Sequence, residues 1–504
     1  MARRRTENLK ARLQMRAQGH VFRYWDELSD ESRKKFLDQL ESFDMDLVAG
    51  LVGAQPAGPQ VSEATGPADG AAATAPDGGR TEAPLAAAPA GAPGPGEIGE
   101  PEVIALPTTA EDHARREDAA ERGLAAMRAG RVAALVVAGG QGTRLGFDGP
   151  KGCFPIGPVT NRSLFKLHAE KILAASRRAG RPIPWYIMTS EANERATRDF
   201  LRGNDYFGLD PEDVFIFRQG MMPAVTPEGK LILEDKDRVF TAPNGHGGVF
   251  RALADSGALD DLVSRGIEEL YYFQVDNPLV PVPDPVFLGF HMVAGAQMSS
   301  KVLRKRAADE PIGTLVKRLA EGGGRVEVVE YSDIPPEVEN ARLPDGQLRW
   351  PWGSIAIHAI SVAFARRIVE GGVALPFHRA KKKIPYLDEQ GQKVTPVEPN
   401  GVKFEMFVFD ALGLAERSVA LEVDRQSEFA PVKNAEGADS VLTARRALSE
   451  LYAGWLQAAG VEVAREADGS VAGAVEISPL VADSAAALKA ALPPETRFRD
   501  GLVI

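Results

Sequence analysis

The sequence contains a single cysteine, Cys153, and only seven histidines among its 504 residues. One thiol excludes a disulfide framework within the chain and any zinc or iron–sulfur site built from several thiolates. So few imidazoles argue against a histidine-rich metal cluster. Long hydrophobic runs are also missing. The most apolar stretch, Val132 to Ala138, is far shorter than the ~20 residues that cross a bilayer. Met1 to Gln14 carries Arg3, Arg4 and Arg5, but no apolar segment follows, so it does not read as a secretory signal. Nor is there an excess of positive charge: 59 Lys and Arg against 70 Asp and Glu leave −11. Such a balance suits neither wrapping of nucleic acid nor attachment to an anionic membrane. These absences predict a cytoplasmic protein without nucleic-acid or membrane partners.

At 44% hydrophobic and 26% charged, the remainder can bury a substantial core. The length suggests roughly three domains, or one large domain with appendages, at about 150 residues per domain. Residues 1–49 place Val21, Phe22, Trp25, Leu28, Phe36, Leu37, Leu40 and Phe43 at helical spacings and read as a small helical segment. Residues 50–107 shift to alanine, proline and glycine, and prolines 84, 89, 93, 95 and 101 interrupt any helix. That composition predicts a disordered linker. Ordered patterning resumes at 108 and divides into a long region, 108–420, and a β-rich C-terminal region, 421–504.

Within 108–420, helix and strand patterns alternate. A charged helix over Glu111–Ala129 precedes the buried strand Val132–Ala138, then a helix from about Ser163 to Ala179. Strands are predicted at 184–189, 214–217 and 270–275, with helices over 192–201 and 249–254 between them. Short strands follow from about 325 to 430, and residues 440–459 read as helical. This alternation predicts an α/β fold with a mixed, mostly parallel central sheet and flanking helices.

Directly after the strand at Val132–Ala138 comes Gly139-Gly-Gln-Gly-Thr-Arg-Leu-Gly146, followed by Pro150-Lys-Gly152. Glycines in this position let the backbone approach a phosphate or base. The dinucleotide fingerprint G-x-G-x-x-G is not met, because Leu145 occupies the third glycine position. A P-loop is excluded because no Gly-Lys-Ser/Thr follows. Two cations, Arg144 and Lys151, flank the loop instead and suit a polyphosphate whose charge grows during reaction.

The complete string resembles the signature of the eukaryotic-type UDP-sugar pyrophosphorylases, and most of all their UDP-N-acetylhexosamine branch. The likeness continues in order through Phe217-Arg-Gln-Gly-Met-Met-Pro223, Pro243-Asn-Gly-His-Gly-Gly248, Gln274-Val-Asp-Asn277 and Val328-Val-Glu-Tyr-Ser332. It extends through Lys382-Lys-Ile-Pro-Tyr386, Pro399-Asn-Gly-Val-Lys403, Phe407-Val-Phe-Asp410, Pro431-Val-Lys-Asn434 and Glu476-Ile-Ser-Pro-Leu480. About four-fifths of the chain is covered, with 50–107 as the gap. The resemblance implies a Rossmann-like nucleotide-diphospho-sugar transferase fold that joins UTP to a sugar 1-phosphate, with Mg²⁺ as cofactor.

By the same resemblance, Arg144, Lys151 and Lys433 are the catalytic cations, Lys433 reaching the sugar phosphate. Gly139, Gly140, Gly142, Gln219, Gly245 and Asp276 would bind the nucleotide, and Asp276 the metal. His246, Glu330, Ser354, Phe407 and Phe409 would bind the sugar. Several have a plainer alternative. Gln219 could cap a strand, Asp276 could sit in an Asp-Asn-Pro turn, and Phe407 and Phe409 could be one face of a core strand. The resemblance makes N-acetylglucosamine 1-phosphate the expected acceptor, while His246 and Ser354, which depart from the asparagines of the N-acetylhexosamine branch, keep glucose or galactose 1-phosphate as alternatives. A dinucleotide-dependent oxidoreductase and a non-catalytic scaffold are the rival classes.

Overall fold

The computed structural model describes residues 2–53, 95–319 and 324–504. The described residues form two compact units: one comprises those within 1–92, 221–244 and 371–406, the other those within 93–220, 245–370 and 407–504. Residues 54–94 of the expected linker lie outside the described residues. At its two ends the linker is shorter than composition predicted. The helix Met45–Gly53 runs past residue 50, and Ile98–Gly99 and Val103–Ile104 are strands of a sheet. Alanine-, proline- and glycine-rich composition does not register such two-residue pairings, which depend on the edge they join.

The smaller unit sets the helices Ala2–Met15, Asp30–Ser42 and Met45–Gly53 on short antiparallel pairs, the longest being Phe377–Lys382 with Gly401–Met406. Leu13, Phe36 and Leu40 pack with Val225, Val239, Val402 and Phe404. Two buried or half-buried amides pin the helical part to the sheet segments. The Gln39 side chain donates to Val239 O and accepts from Val239 N, and Gln18 does likewise with Gly229 O and Leu231 N. The N-terminal helices and the segments 221–244 and 371–406 therefore fold as one body, although the sequence places them far apart.

The larger unit is built on a mixed sheet. Val132–Val137 lies between Trp185–Thr189 and Glu269–Gln274, all parallel, and Val214–Arg218 continues the parallel array beyond Trp185–Thr189. On the other side, Trp352–Ser361 runs antiparallel between Glu269–Gln274 and Met298–Arg304. Ala420–Glu422 and then Val103–Ile104 extend the sheet in parallel. Strands covered on both faces read as unbroken apolar runs, and Val132–Val136 and Trp185–Met188 are fully buried. The helix Leu164–Ala179 starts at Ser163, whose hydroxyl accepts from Lys166 N, and stops at Gly180 with φ +69°. This is the signature of an N-cap and a left-handed C-cap.

Beyond Glu422 the longest element is the helix Val441–Ala458. After that helix, the β structure of the region expected to be β-rich includes Val475–Glu476, paired in parallel with Leu502–Val503, and a bridge between Arg465 and Val471. This C-terminal region packs into the same core as the sheet: Leu448, Tyr452, Leu456 and Ile477 share a cluster with Val136, Ile187 and Phe273. The boundary expected at 420/421 is therefore not a break between compact units.

Candidate active site

The chain runs outward from Val132–Val137 in one direction to Trp185–Thr189 and Val214–Arg218, then returns to the other side with Glu269–Gln274. The strand order reverses at Val132–Val137, and open α/β sheets bind ligands at the C-terminal ends of strands around such a reversal. Two of the expected segments emerge there: the glycine loop after Val137, and Asp276 two residues after Gln274.

The loop is a hydrogen-bonded hairpin. Gly142 N donates to Gly149 O and Lys151 N donates to Gly140 O, 2.8 and 3.0 Å apart. This returns Lys151 to the sheet edge, where its Nζ meets Asp276 Oδ2 at 3.1 Å. Gly139 is constrained by its neighbour: a Cβ there would lie 2.3 Å from Gln219 Nε2. Glycine here lets the Gln219 amide keep its place against the loop. Gln219 is buried, and its N–H donates to Thr189 O at 2.8 Å. Arg144 stands apart from this group, exposed on a 3₁₀ turn at Thr143–Leu145.

Asp276 is the junction to the C-terminal region. Its carbonyl accepts from Val432 N at 2.8 Å. The side chain of the next residue, Asn277, donates to Glu428 O at 2.7 Å and accepts from Ala430 N at 3.2 Å. Three hydrogen bonds thus dock the segment 428–432 against the end of Glu269–Gln274 and deliver Lys433 to the site. Lys433 is half-exposed, with its Nζ 3.6 Å from Asp439 Oδ2. Behind Asp276, Lys171 donates to Pro278 O and Val280 O, holding the descending turn from the helix side.

Beside these residues is a cavity of about 150 Å³ lined by His246, Asp276, Glu330, Ser354, Phe409 and Lys433, among others. Six positions named from sequence therefore line one cavity. Phe407 joins through His246: the ring centroids are 5.3 Å apart, and Phe409 is 5.8 Å from His246 and 5.1 Å from Phe407. The two phenylalanines do not lie along one strand. Phe407 follows Gly401–Met406 and Phe409 lies in the 3₁₀ segment Val408–Leu414. The chain turns between them, and both rings pack against the imidazole, Phe407 tilted at 33° and Phe409 edge-on at 62°. His246 Nδ1 accepts from Val408 N at 3.1 Å, which assigns the ring proton to Nε2. Gly245, at φ +86°, sets the turn into His246–Gly248.

The composition of the site defines a reaction type. Cations, the Asp276 carboxylate and backbone amides converge at the mouth of a parallel sheet, and burial pushes the Cys153 thiol up to about 12, which favours its protonated form. Charge neutralisation and alignment of phosphates are what these groups can supply, and the fold and site together are those of a nucleotide-binding transferase. The model of the UTP–glucose-1-phosphate uridylyltransferase family matches residues 104–465. The chain belongs to that family of sugar-1-phosphate uridylyltransferases, whose substrates are UTP and a sugar 1-phosphate.

Relatives refine the comparison. The chain is 38% identical to the human UDP-N-acetylhexosamine pyrophosphorylase-like protein 1, covering 90% of this chain and 86% of that protein. It is 39% identical to the Saccharomyces cerevisiae UDP-N-acetylglucosamine pyrophosphorylase over 68% of this chain and 73% of the yeast protein. The crystal structure of the Trypanosoma brucei uridine diphosphate N-acetylglucosamine pyrophosphorylase, with an inhibitor, superposes with a TM-score of 0.74. It is 26% identical, covering 99% of this chain and 98% of that one.

Sequence reasoning missed the supporting layer. Asn277, Lys171, Ser190 and Asn193 all hold backbone of the site in place. In the sequence they read as a turn residue, a helix-surface lysine and two residues at the start of a helix.

Proposed function

We propose that this chain transfers the uridylyl group of UTP to N-acetylglucosamine 1-phosphate. An oxygen of the sugar phosphate attacks the α-phosphorus of UTP and forms a new P–O bond. The bond from the α-phosphorus to the bridging oxygen breaks, and its electron pair leaves with pyrophosphate. The reading is carried by the docking of Val432 on Asp276, which sets Lys433 beside the cavity that contains Glu330, Ser354 and Phe409.

In this reading Lys151 and Arg144 neutralise the UTP phosphates, and Lys433 holds the sugar phosphate. Gln219 pairs with the uracil edge, its amide offering one donor and one acceptor. Gly139, Gly140, Gly142 and Gly245 allow main chain close to the nucleotide. Nucleotidyl transfer in such families draws on a divalent cation, and Asp276 fits Mg²⁺. Among the described residues no group of three or more His, Cys, Asp and Glu is placed to hold a metal. Mg²⁺ needs no such group, because it keeps several waters and is held by one or two carboxylates together with substrate phosphates. It would supply charge neutralisation at the phosphates.

The His246 imidazole, with its proton on Nε2, packs with Phe407 and Phe409 beside the cavity. An imidazole where the N-acetylhexosamine branch carries an amide supports the second reading, transfer to glucose or galactose 1-phosphate. No helix among the described residues is long and apolar enough to cross a membrane. The single unpaired thiol agrees with action in the cytoplasm.

The test is pyrophosphate release with UTP, Mg²⁺ and the 1-phosphates of N-acetylglucosamine, N-acetylgalactosamine, glucose and galactose. The expected result is fastest release with N-acetylglucosamine 1-phosphate. Preference for glucose or galactose selects the second reading, and no release from folded protein with any of the four overturns both.

A further inference from the structure

Asn193 immediately precedes the helix Glu194–Gly203, a position where asparagine ordinarily accepts a hydrogen bond from the first-turn amides. Here the side chain makes no such cap. It is buried, only 1% exposed, and turns back to the glycine loop. Its Nδ2 donates to Ala138 O at 2.9 Å and to Gly140 O at 3.2 Å. Its Oδ1 accepts from Ser190 N at 2.8 Å. Ser190 Oγ lies 2.9 Å from Gly139 O and donates to it.

Three successive carbonyls, those of Ala138, Gly139 and Gly140, are therefore held by two side chains from the turn after Trp185–Thr189. In a planar trans peptide the carbonyl and the following N–H point in opposite directions. Holding the three carbonyls toward Ser190 and Asn193 turns the N–H groups of Gly139, Gly140 and Gln141 away from them. Among the described residues, none accepts a hydrogen bond from those three N–H groups. A row of backbone donors with no internal acceptor is suited to oxygen-rich, anionic ligands.

We propose that Asn193, assisted by Ser190, is a positioning residue for the nucleotide: it fixes the glycine-loop peptides so that their N–H groups face UTP. The inference rests on the uridylyltransferase reading above and adds two residues to it. Helix capping gives Asn193 no reason to be there. Packing alone would be served equally by any residue of the same shape. Only the role of a double donor to Ala138 O and Gly140 O requires the amide. Gly140 O also accepts from Lys151 N at 3.0 Å, so the same side chain fixes one end of the hairpin that returns Lys151 to Asp276.

The experiment measures UTP binding by calorimetry, together with kcat and both KM values, for wild type, Asn193→Ala, Asn193→Asp and Ser190→Ala. Asn193→Asp keeps the shape and the acceptor but faces two carbonyls with a carboxylate. The expectation is UTP binding weaker by about tenfold or more in both Asn193 variants, the loss of roughly two hydrogen bonds. KM for UTP should rise in step, KM for the sugar phosphate should hold, and kcat at saturation should stay within about threefold. Ser190→Ala, the milder change, should weaken UTP binding about threefold to fivefold. Wild-type UTP affinity in Asn193→Asp, or equal rises in both KM values, overturns the proposal. Absence of UTP binding to the wild-type protein overturns the uridylyltransferase reading, and this inference with it.

Discussion

Lys151 Nζ and Asp276 Oδ2 stand 3.1 Å apart, so the cation assigned to the phosphates and the carboxylate assigned to the metal form an ion pair with each other. Both side chains are largely buried, at 18% and 12% exposure, where opposite charges are screened less than at the surface. A metal ion approaching the nucleotide-free protein must compete with the ammonium for one carboxylate. Lys151→Met should therefore bind Mn²⁺ several-fold more tightly without nucleotide while turning over far more slowly. Electron paramagnetic resonance titration of free Mn²⁺ reads the first effect, and unchanged affinity would show that the two cations do not share Asp276.

Lys433 reaches the site from the late segment docked on Asp276 and Asn277, not from the nucleotide side of the sheet. Lys433→Ala should lower kcat by about a hundredfold or more, the scale for removing a charged contact to the reacting groups, while calorimetry still detects UTP. Wild-type turnover in that variant would remove Lys433 from the mechanism.

Gly139→Ala introduces a methyl 2.3 Å from the present position of Gln219 Nε2. The obstruction is the far end of a flexible side chain, so the fold should survive with a small change in Tm while Gln219 is displaced. KM for UTP should rise about tenfold, and the preference for UTP over CTP should shrink, since misplacing one recognition amide removes a hydrogen-bonded discrimination. An unchanged UTP to CTP ratio would mean that Gln219 does not read the base.

Two histidines in the core are held neutral. His168 donates through Nε2 to Val275 O and His358 Nδ1 lies 2.9 Å from Ser300 Oγ. Burial pushes both imidazoles down to about 3 from the ordinary 6.5. Above pH 6.5 neither state is protonated there and the groups leave stability unchanged with pH. Below it the unfolded chain binds protons that the native state excludes, so stability falls as pH drops toward 3. The slope is up to about 1.4 kcal/mol per pH unit for each histidine. Urea unfolding at pH 7 and pH 5 should show the loss, and His168→Gln should lessen it. An equal loss in the variant would assign the acid sensitivity to carboxylates.

The parallel strands of the sheet were legible from their short apolar runs. Val132–Val137, Trp185–Thr189, Val214–Arg218 and Glu269–Gln274 all lie within a residue of their expected limits, because unbroken apolar runs between glycine, proline and polar turns are local signals. The helix Leu164–Ala179 was equally clear, since Ser163 and Gly180 mark its ends. The pairing of Val103–Ile104 with Ala420–Glu422 was not, because a two-residue strand has no period and its partner is remote. Nor was the division into compact units, which follows contacts between the N-terminal helices and the segments 221–244 and 371–406.

The candidate site divides in the same way. Motif residues that would face substrate, such as Gly139, Lys151, Asp276 and Lys433, were named from the sequence. Asn193 was not, and Asn277 appeared only inside a matched motif with no role of its own, because their work is to hold carbonyls and amides of other segments. An asparagine ahead of a helix reads as a cap until the structure shows the side chain facing the opposite way.

The bond from Val432 N to Asp276 O also sets a schedule for synthesis. A ribosome that has made the glycine loop, the central strands and Asp276 has still not made the segment that carries Lys433, nor the helix Val441–Ala458 that packs into the same core. The nascent chain can thus complete its nucleotide-side half early, yet the cavity lacks one wall until nearly the whole polypeptide has emerged. A messenger truncated before that point leaves Asp276 O without Val432 N and the cavity without Lys433.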